Sequence, residues 1–125
     1  MKVVEIAFAG YSVTDLNRAR RFYEGTLGLQ PSSVFGDGNT AWIEYDIGPG
    51  TLAIGNGVPE WKPSCDGGLV ALEVEDFDAA IQRLRDEGVV FARGPAETPV
   101  CHMAVIQDPD GNSIIIHRRK PGRPG

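Results

Sequence analysis

The feature that most constrains this chain is that it reads twice. Val13-Thr14-Asp15 returns as Val74-Glu75-Asp76, and the Gly50 that ends Ile47-Gly48-Pro49-Gly50 returns as the Gly111 that ends Asp108-Pro109-Asp110-Gly111, each time after 61 residues. A fixed offset of this kind means two similar modules in tandem. A module of about sixty residues buries little apolar surface alone, so the two are expected to need each other and a second chain.

Both modules follow one grammar. Residues 3–13, rich in Val, Ile, Phe and Ala, and residues 68–74 each read as a half-buried strand. Asp15 and Asp76 are suited to accept a backbone N–H at a helix start. The apolar sets Leu16, Ala19, Phe22, Tyr23, Leu27 and Phe77, Ala80, Ile81, Leu84 then recur at helical spacing, up to Gly28 and Gly88. Strands are predicted at 32–35, 40–47 and 51–54 in the first module, and at 89–92, 102–107 and 113–117 in the second. Each module is therefore βαβββ. Gly36-Asp37-Gly38-Asn39, Gly48-Pro49-Gly50 and Asp108-Pro109-Asp110-Gly111 read as turns. The first of these opens no helix, which argues against a phosphate-cradling loop.

The expected organisation is one domain over 1–117, with module 1 at 1–55, a linker at 56–67 carrying Pro59 and Pro63, and module 2 at 68–117. A basic mobile tail at 118–125 contains Arg118, Arg119, Lys120 and Arg123. The chain has 125 residues, 42% hydrophobic and 23% charged, enough for a real core. Its net charge of -5 disfavours a nucleic-acid partner, because a polyanion is repelled. No apolar run is long enough to span a membrane, and Lys2 and Glu5 interrupt any signal-like segment, so a cytoplasmic location is expected. Cys65 and Cys101 lack metal or redox spacing and read as reduced.

Val13-Thr14-Asp15-Leu16 leading into Phe22-Tyr23 and Leu27-Gly28-Leu29, with the late Asp108-Pro109-Asp110-Gly111-Asn112, resembles the vicinal oxygen chelate superfamily of glyoxalases, bleomycin-resistance proteins and extradiol dioxygenases. The resemblance implies an α+β fold in which two βαβββ modules form a curled mixed-sheet cup, usually in a homodimer. In the family's enzymes His and Glu side chains in the cup hold a divalent metal that acts as a Lewis acid. The corresponding positions here are Phe8, Leu69, Ile115 and, to within one residue, Ile54 with its neighbour Ala53. Hydrocarbon side chains have no electron pair for a cation. The expectation is therefore no cofactor, with nickel, zinc, manganese or iron present only if the ligands have moved.

Strand alternation indicates what else faces the cup. Gly10 and Ser12 share parity with Phe8, Ala71 and Glu73 with Leu69, and Ser113 and His117 with Ile115. Glu73 and His117 are the candidate acid and base, set against a plainer reading in which both are solvated at the rim. Cys101 and His102 are adjacent on one strand and point to opposite faces, which argues against a thiolate–imidazole pair. His102 alone remains a possible ligand contact. Trp42, Tyr45, Trp61 and Phe35 suit either stacking on a planar ligand or core packing, and Glu44 shares parity with Trp42. Arg18, Arg20 and Arg21 read as a solvated helix face pairing with Glu24.

The leading expectation is a metal-free homodimeric binder of a small apolar or aromatic molecule, contacted by Phe8, Ser12, Trp42, Glu44, Ile54, Leu69, Glu73, His102, Ile115 and His117. One competing reading is a glyoxalase-like lyase or dioxygenase with ligands moved to Glu73, His117, Glu44 or His102. The other is a structural or regulatory dimer with a filled cup.

Overall fold

The computed structural model describes residues 1–37 and 39–122. The chain divides into two units, Met1–Pro63 and Ser64–Gly125. The boundary falls inside the expected linker. Each unit holds one four-stranded mixed sheet with helix on one face.

In the first unit, β1 (Ala9–Ser12) leads into α1 (Leu16–Arg20), followed by β2 (Pro31–Gly36), β3 (Ala41–Ile47) and β4 (Gly50–Gly55). The sheet order is β1-β4-β3-β2, with β1 parallel to β4 and the other pairs antiparallel. The second unit repeats this. Its elements are β5 (Val70–Glu73), α2 (Phe77–Asp86), β6 (Val90–Glu97), β7 (Cys101–Gln107) and β8 (Ser113–Arg119), in sheet order β5-β8-β7-β6.

Both helices begin as the sequence requires. Asp15 accepts the Arg18 N–H and Asp76 the Ala79 N–H, each at 3.0 Å, satisfying donors that no helical carbonyl reaches. The two then differ. After Arg20 the first helix widens into a π-helical stretch, Arg21–Thr26, with Leu27 N–H bonded to the Phe22 carbonyl five residues back. That stretch directs Phe22 and Tyr23 inward. Tyr23 stacks on Tyr45 of β3 at 6.2 Å, and the Tyr45 hydroxyl donates to Glu24 at 2.8 Å. Glu24 also receives a bond of 2.6 Å from Arg20. Burial, reinforced by the adjacent carboxylate, raises the Tyr45 phenol well above its ordinary value.

Alternation along β3 decides the faces of the first sheet. Ala41, Ile43 and Tyr45 are buried beneath the helix with Leu52 and Ile54 of β4, whereas Trp42 and Glu44 rise from the other face. In the second unit Ala104, Ile106, Ile114 and Ile116 form the matching core with Ile81 and Leu84 of α2. Each fully buried residue of this size contributes roughly 1.5–3 kcal/mol, so each unit is held together by the helix-side face of its own sheet.

Several expected boundaries change, and the strand expected at 89–92 runs on to Glu97. The first strand covers Ala9–Ser12, not all of 3–13, because β4 offers it partners only from Leu52 to Gly55. Arg118 and Arg119 belong to β8 and not to a tail, paired with His102 and Cys101 of β7. Lys120 is held too: its N–H reaches the Val100 carbonyl and its ammonium pairs with Glu97. Pro121 and Gly122 follow as a turn, and Arg123 of the expected mobile tail lies outside the described residues. Among the described residues no helix is long and apolar enough to cross a membrane.

Candidate functional site

The face of the first sheet away from its helix is an aromatic shelf. Phe8 meets Trp42 edge-on at 5.2 Å, and Trp42 lies 5.9 Å from Trp61. Trp42 is oriented by Glu44, whose carboxylate accepts the indole N–H at 2.8 Å. Trp61 arrives from the segment after β4 and is fastened by Ser12, whose hydroxyl donates to the Trp61 carbonyl at 2.8 Å. Both indoles remain half-buried and Phe8 is 49% exposed. Phe35, the register partner of Trp42 on β2, extends the shelf and is also exposed.

Two glycines make the floor. A Cβ on Gly55, the register partner of Trp42, would stand 2.8 Å from the Trp42 ring, and one on Gly10 would meet both indoles at 3.4–3.5 Å. Flat rings rest on this sheet because nothing projects beneath them. Beside the shelf a cleft of about 450 Å³ is lined by Ser12, Thr40, Asn56, Trp61 and Lys62 among others, within the usual size range of small-molecule sites.

The corresponding face of the second sheet carries different chemistry. Glu73 and His117 are register partners on the parallel strands β5 and β8. His117 Nδ1 lies 2.5 Å from Glu73 Oε1, while the Arg119 backbone N–H donates to Oε2 at 2.7 Å and the Arg119 guanidinium stands 4.0 Å away. Burial alone would raise the Glu73 pKa. The Arg119 N–H, the His117 hydrogen bond and the nearby positive charges outweigh it and hold the carboxyl below its ordinary value. The pair is flanked on the same face by Ala71, Met103 and Ile115.

The predicted site residues thus fall into two groups and two exceptions. Phe8, Ser12, Trp42 and Glu44 share the shelf, Glu73, Ile115 and His117 share the open face of the second sheet, and Leu69 is exposed just before β5. Ile54 is the first exception. It pairs with Ile43 and Tyr11 in the helix-side core and is fully buried, whereas Ala53, opposite Gly10, takes the place that Ile115 takes opposite Ala71. The slip of one residue arises in the turn before the last strand: four residues separate Asp46 from its partner Thr51, and five separate Gln107 from its partner Ser113. His102 is the second exception. Alternation sends it to the helix side, where its ring lies 5.6 Å from Phe77, so it joins no site with Glu73 and His117. Tyr45, offered as a pocket aromatic, is likewise core. Cys101 is buried against the Thr98 hydroxyl at 3.2 Å, and Cys65 is an exposed free thiol. The contributions of Gly10, Gly55 and Arg119 were not anticipated. A glycine opposite a tryptophan in an antiparallel pair is the signal that would have identified Gly55.

A metal of the kind the family's enzymes hold requires oxygen or imidazole donors. Phe8, Ala53, Leu69 and Ile115 offer none and do not fit such an ion. Among the described residues no group of three or more His, Cys, Asp or Glu is placed to hold a metal.

Residues 5–116 match the Glyoxalase/Bleomycin resistance protein/Dioxygenase superfamily. The chain belongs to that superfamily. A solved structure similar to it is that of TnmS3, an antibiotic binding protein from Streptomyces sp. CB03234. The two are 27% identical, with a TM-score of 0.79 over 96% of this chain and 99% of that one. A glyoxalase/bleomycin resistance protein from the same strain is 28% identical, with a TM-score of 0.71 over 90% and 98% of the two chains. The anthracycline biosynthesis protein DnrV of Streptomyces peucetius is 32% identical over 119 residues, which are 90% of this chain and 41% of that protein. This chain therefore spans about two fifths of the length of that curated relative.

Proposed function

We propose that this superfamily member binds a small planar aromatic molecule, without the metal of the family's enzymes, by stacking it on the shelf of the first sheet. The observation that carries the reading is the run of Phe8, Trp42 and Trp61, in ring contact with one another and only half-buried over a glycine floor. Aromatic contacts of this geometry contribute about 0.5–1.5 kcal/mol each beyond area burial. Similarity to an antibiotic binding protein and to an anthracycline biosynthesis protein supports a flat, polycyclic ligand class. Ser12, Glu44 and the polar cleft wall supply orienting groups.

Both tryptophans of the chain lie in the shelf, so its intrinsic fluorescence reports directly on the site. Titration with an anthracycline such as doxorubicin is expected to quench it, and Trp42→Ala is expected to weaken binding about tenfold or more. Equal affinity of wild type and of both Trp42→Ala and Trp61→Ala would sink the stacking reading. Stoichiometric nickel, zinc, manganese or iron in protein purified without chelator would overturn its metal-free part. The reading includes a homodimer, since Val3, Val4, Ile6, Leu69 and Val90 expose apolar surface on the single chain. Sedimentation at the monomer mass at micromolar concentration would remove that part.

A further inference from the structure

The Glu73–His117 pair is built as a proton acceptor. A carboxylate whose two oxygens are both engaged is fixed in place, and it can only accept hydrogen bonds. It therefore puts the single proton of a neutral His117 ring on Nδ1 and leaves the lone pair on Nε2. Among the described residues no hydrogen bond engages Nε2. The His117 side chain is 16% exposed and neighbours Met103, Ala71 and Ile115 on the open face. A carboxylate that orients an imidazole whose far nitrogen has no protein hydrogen bond among the described residues is the arrangement of a general base.

We propose that His117 Nε2 accepts the proton of a phenolic hydroxyl on a small molecule, with Glu73 as the positioning residue. The O–H bond breaks and the N–H bond forms. The phenolate oxygen keeps the electron pair, the imidazolium donates its Nδ1–H to Glu73, and the proton returns when the phenol leaves. No carbon bond or electron transfer is involved, and no co-reactant is needed. The groups facing the ring are Glu73 from β5 and Arg119 from β8, whose positive charge favours the phenolate, with the thiol of Cys101 beside Arg119 on β7. The site lies wholly within the second unit and stands whether or not the first unit's shelf holds a ligand.

The test uses 4-nitrophenol, whose phenolate has its own absorption band, and its methyl ether 4-nitroanisole, which has no proton to give. At a pH where the free phenol is neutral, the protein is expected to bind it about tenfold more tightly than the ether and to develop the phenolate band. His117→Phe is expected to lose both effects. A phenol bound no better than the ether, including the case in which neither binds, overturns the proposal, as does a phenolate band that persists in His117→Phe. A second measurement does not depend on variant folding. Nitrogen NMR of the wild-type chain is expected to find neutral His117 as the Nδ1–H tautomer, shifting toward Nε2–H in Glu73→Gln, and an Nε2–H tautomer in the wild type overturns the assignment.

Discussion

The two units place different chemistry at matching points of one frame. Ser12, Trp42 and Gly55 meet in register on the first sheet, and Glu73, Met103 and His117 meet in the same way on the second. The difference follows from the side chain on the last strand. Gly55 has no side chain, so a flat indole settles over the backbone and the hydroxyl of Ser12 is left to hold Trp61. His117 fills that space, so no large ring lies across the second sheet, and the carboxylate of Glu73 is close enough to fix the imidazole. One position thus decides between a stacking surface and a polar pair.

The largest expected break in the correspondence lies at the turn. Asp108 is 4% exposed and its carboxylate accepts from Asp110 N–H, Asn112 N–H and the Asn112 amide at 2.8–2.9 Å. Asp108→Ala leaves these donors unpaired and is expected to cost about 2–4 kcal/mol in denaturant unfolding. The Gly48-Pro49 turn of the first unit has no comparable network, so Pro49→Ala is expected to cost well under that. Next comes the core position filled by Tyr45 in one sheet and Ile106 in the other. Tyr45→Phe is expected to cost about 1.5–3 kcal/mol, because it removes a bond to the charged Glu24. The native phenol resists ionisation, so its stabilisation is complete below the unfolded value of 10.0 and is lost as the pH rises above it. Melting curves should therefore show an alkaline decline above about pH 10 that is smaller in the Phe variant.

Gly55→Ala would make the first sheet more like the second. The added methyl falls 2.8 Å from the Trp42 ring, so a loss of about 1–2 kcal/mol and a change in tryptophan emission are expected. Unchanged emission would mean that the floor does not seat the indole. The smallest effect is that of Glu73→Gln. The native carboxyl titrates below its ordinary 4.5, so its contribution is present above that pH and fades as the pH falls through the lowered native value. The pair is partly solvated, so the difference in stability at neutral pH should not exceed about 1 kcal/mol. At pH 3 the two proteins should melt closer together than at pH 7.

Alternation and repetition made much of this legible. The parity that grouped Phe8 with Ser12, and Glu73 with His117 through their partner strands, is a property of any pleated strand and needed no partner contacts to read. His102 falls away from the site only through the β7–β8 register, which sets Met103 beside His117 and sends His102 against Phe77. Ile54 was misplaced because a constant offset cannot see an extra residue in a turn. The π-helical stretch after Arg20 was hidden because its apolar positions fit an ordinary helix equally well. The shelf itself escaped because it depends on Trp61, which lies outside any strand and is brought over Gly10 and Gly55 by a hydrogen bond from Ser12.

The five-residue turn closed by Asp108 has one further consequence. One residue inserted within a strand exchanges inside for outside for every side chain beyond it. Here the additional residue is spent in a loop whose backbone is tied back by a single carboxylate, so β8 emerges in the same phase as β4, and Ile114 and Ile116 still point into the core. The turn works as a frame corrector. Two copies of a module can then differ in length without exchanging their faces, and their open surfaces can diverge, one toward indole and the other toward imidazole, while the cores beneath keep the same pattern.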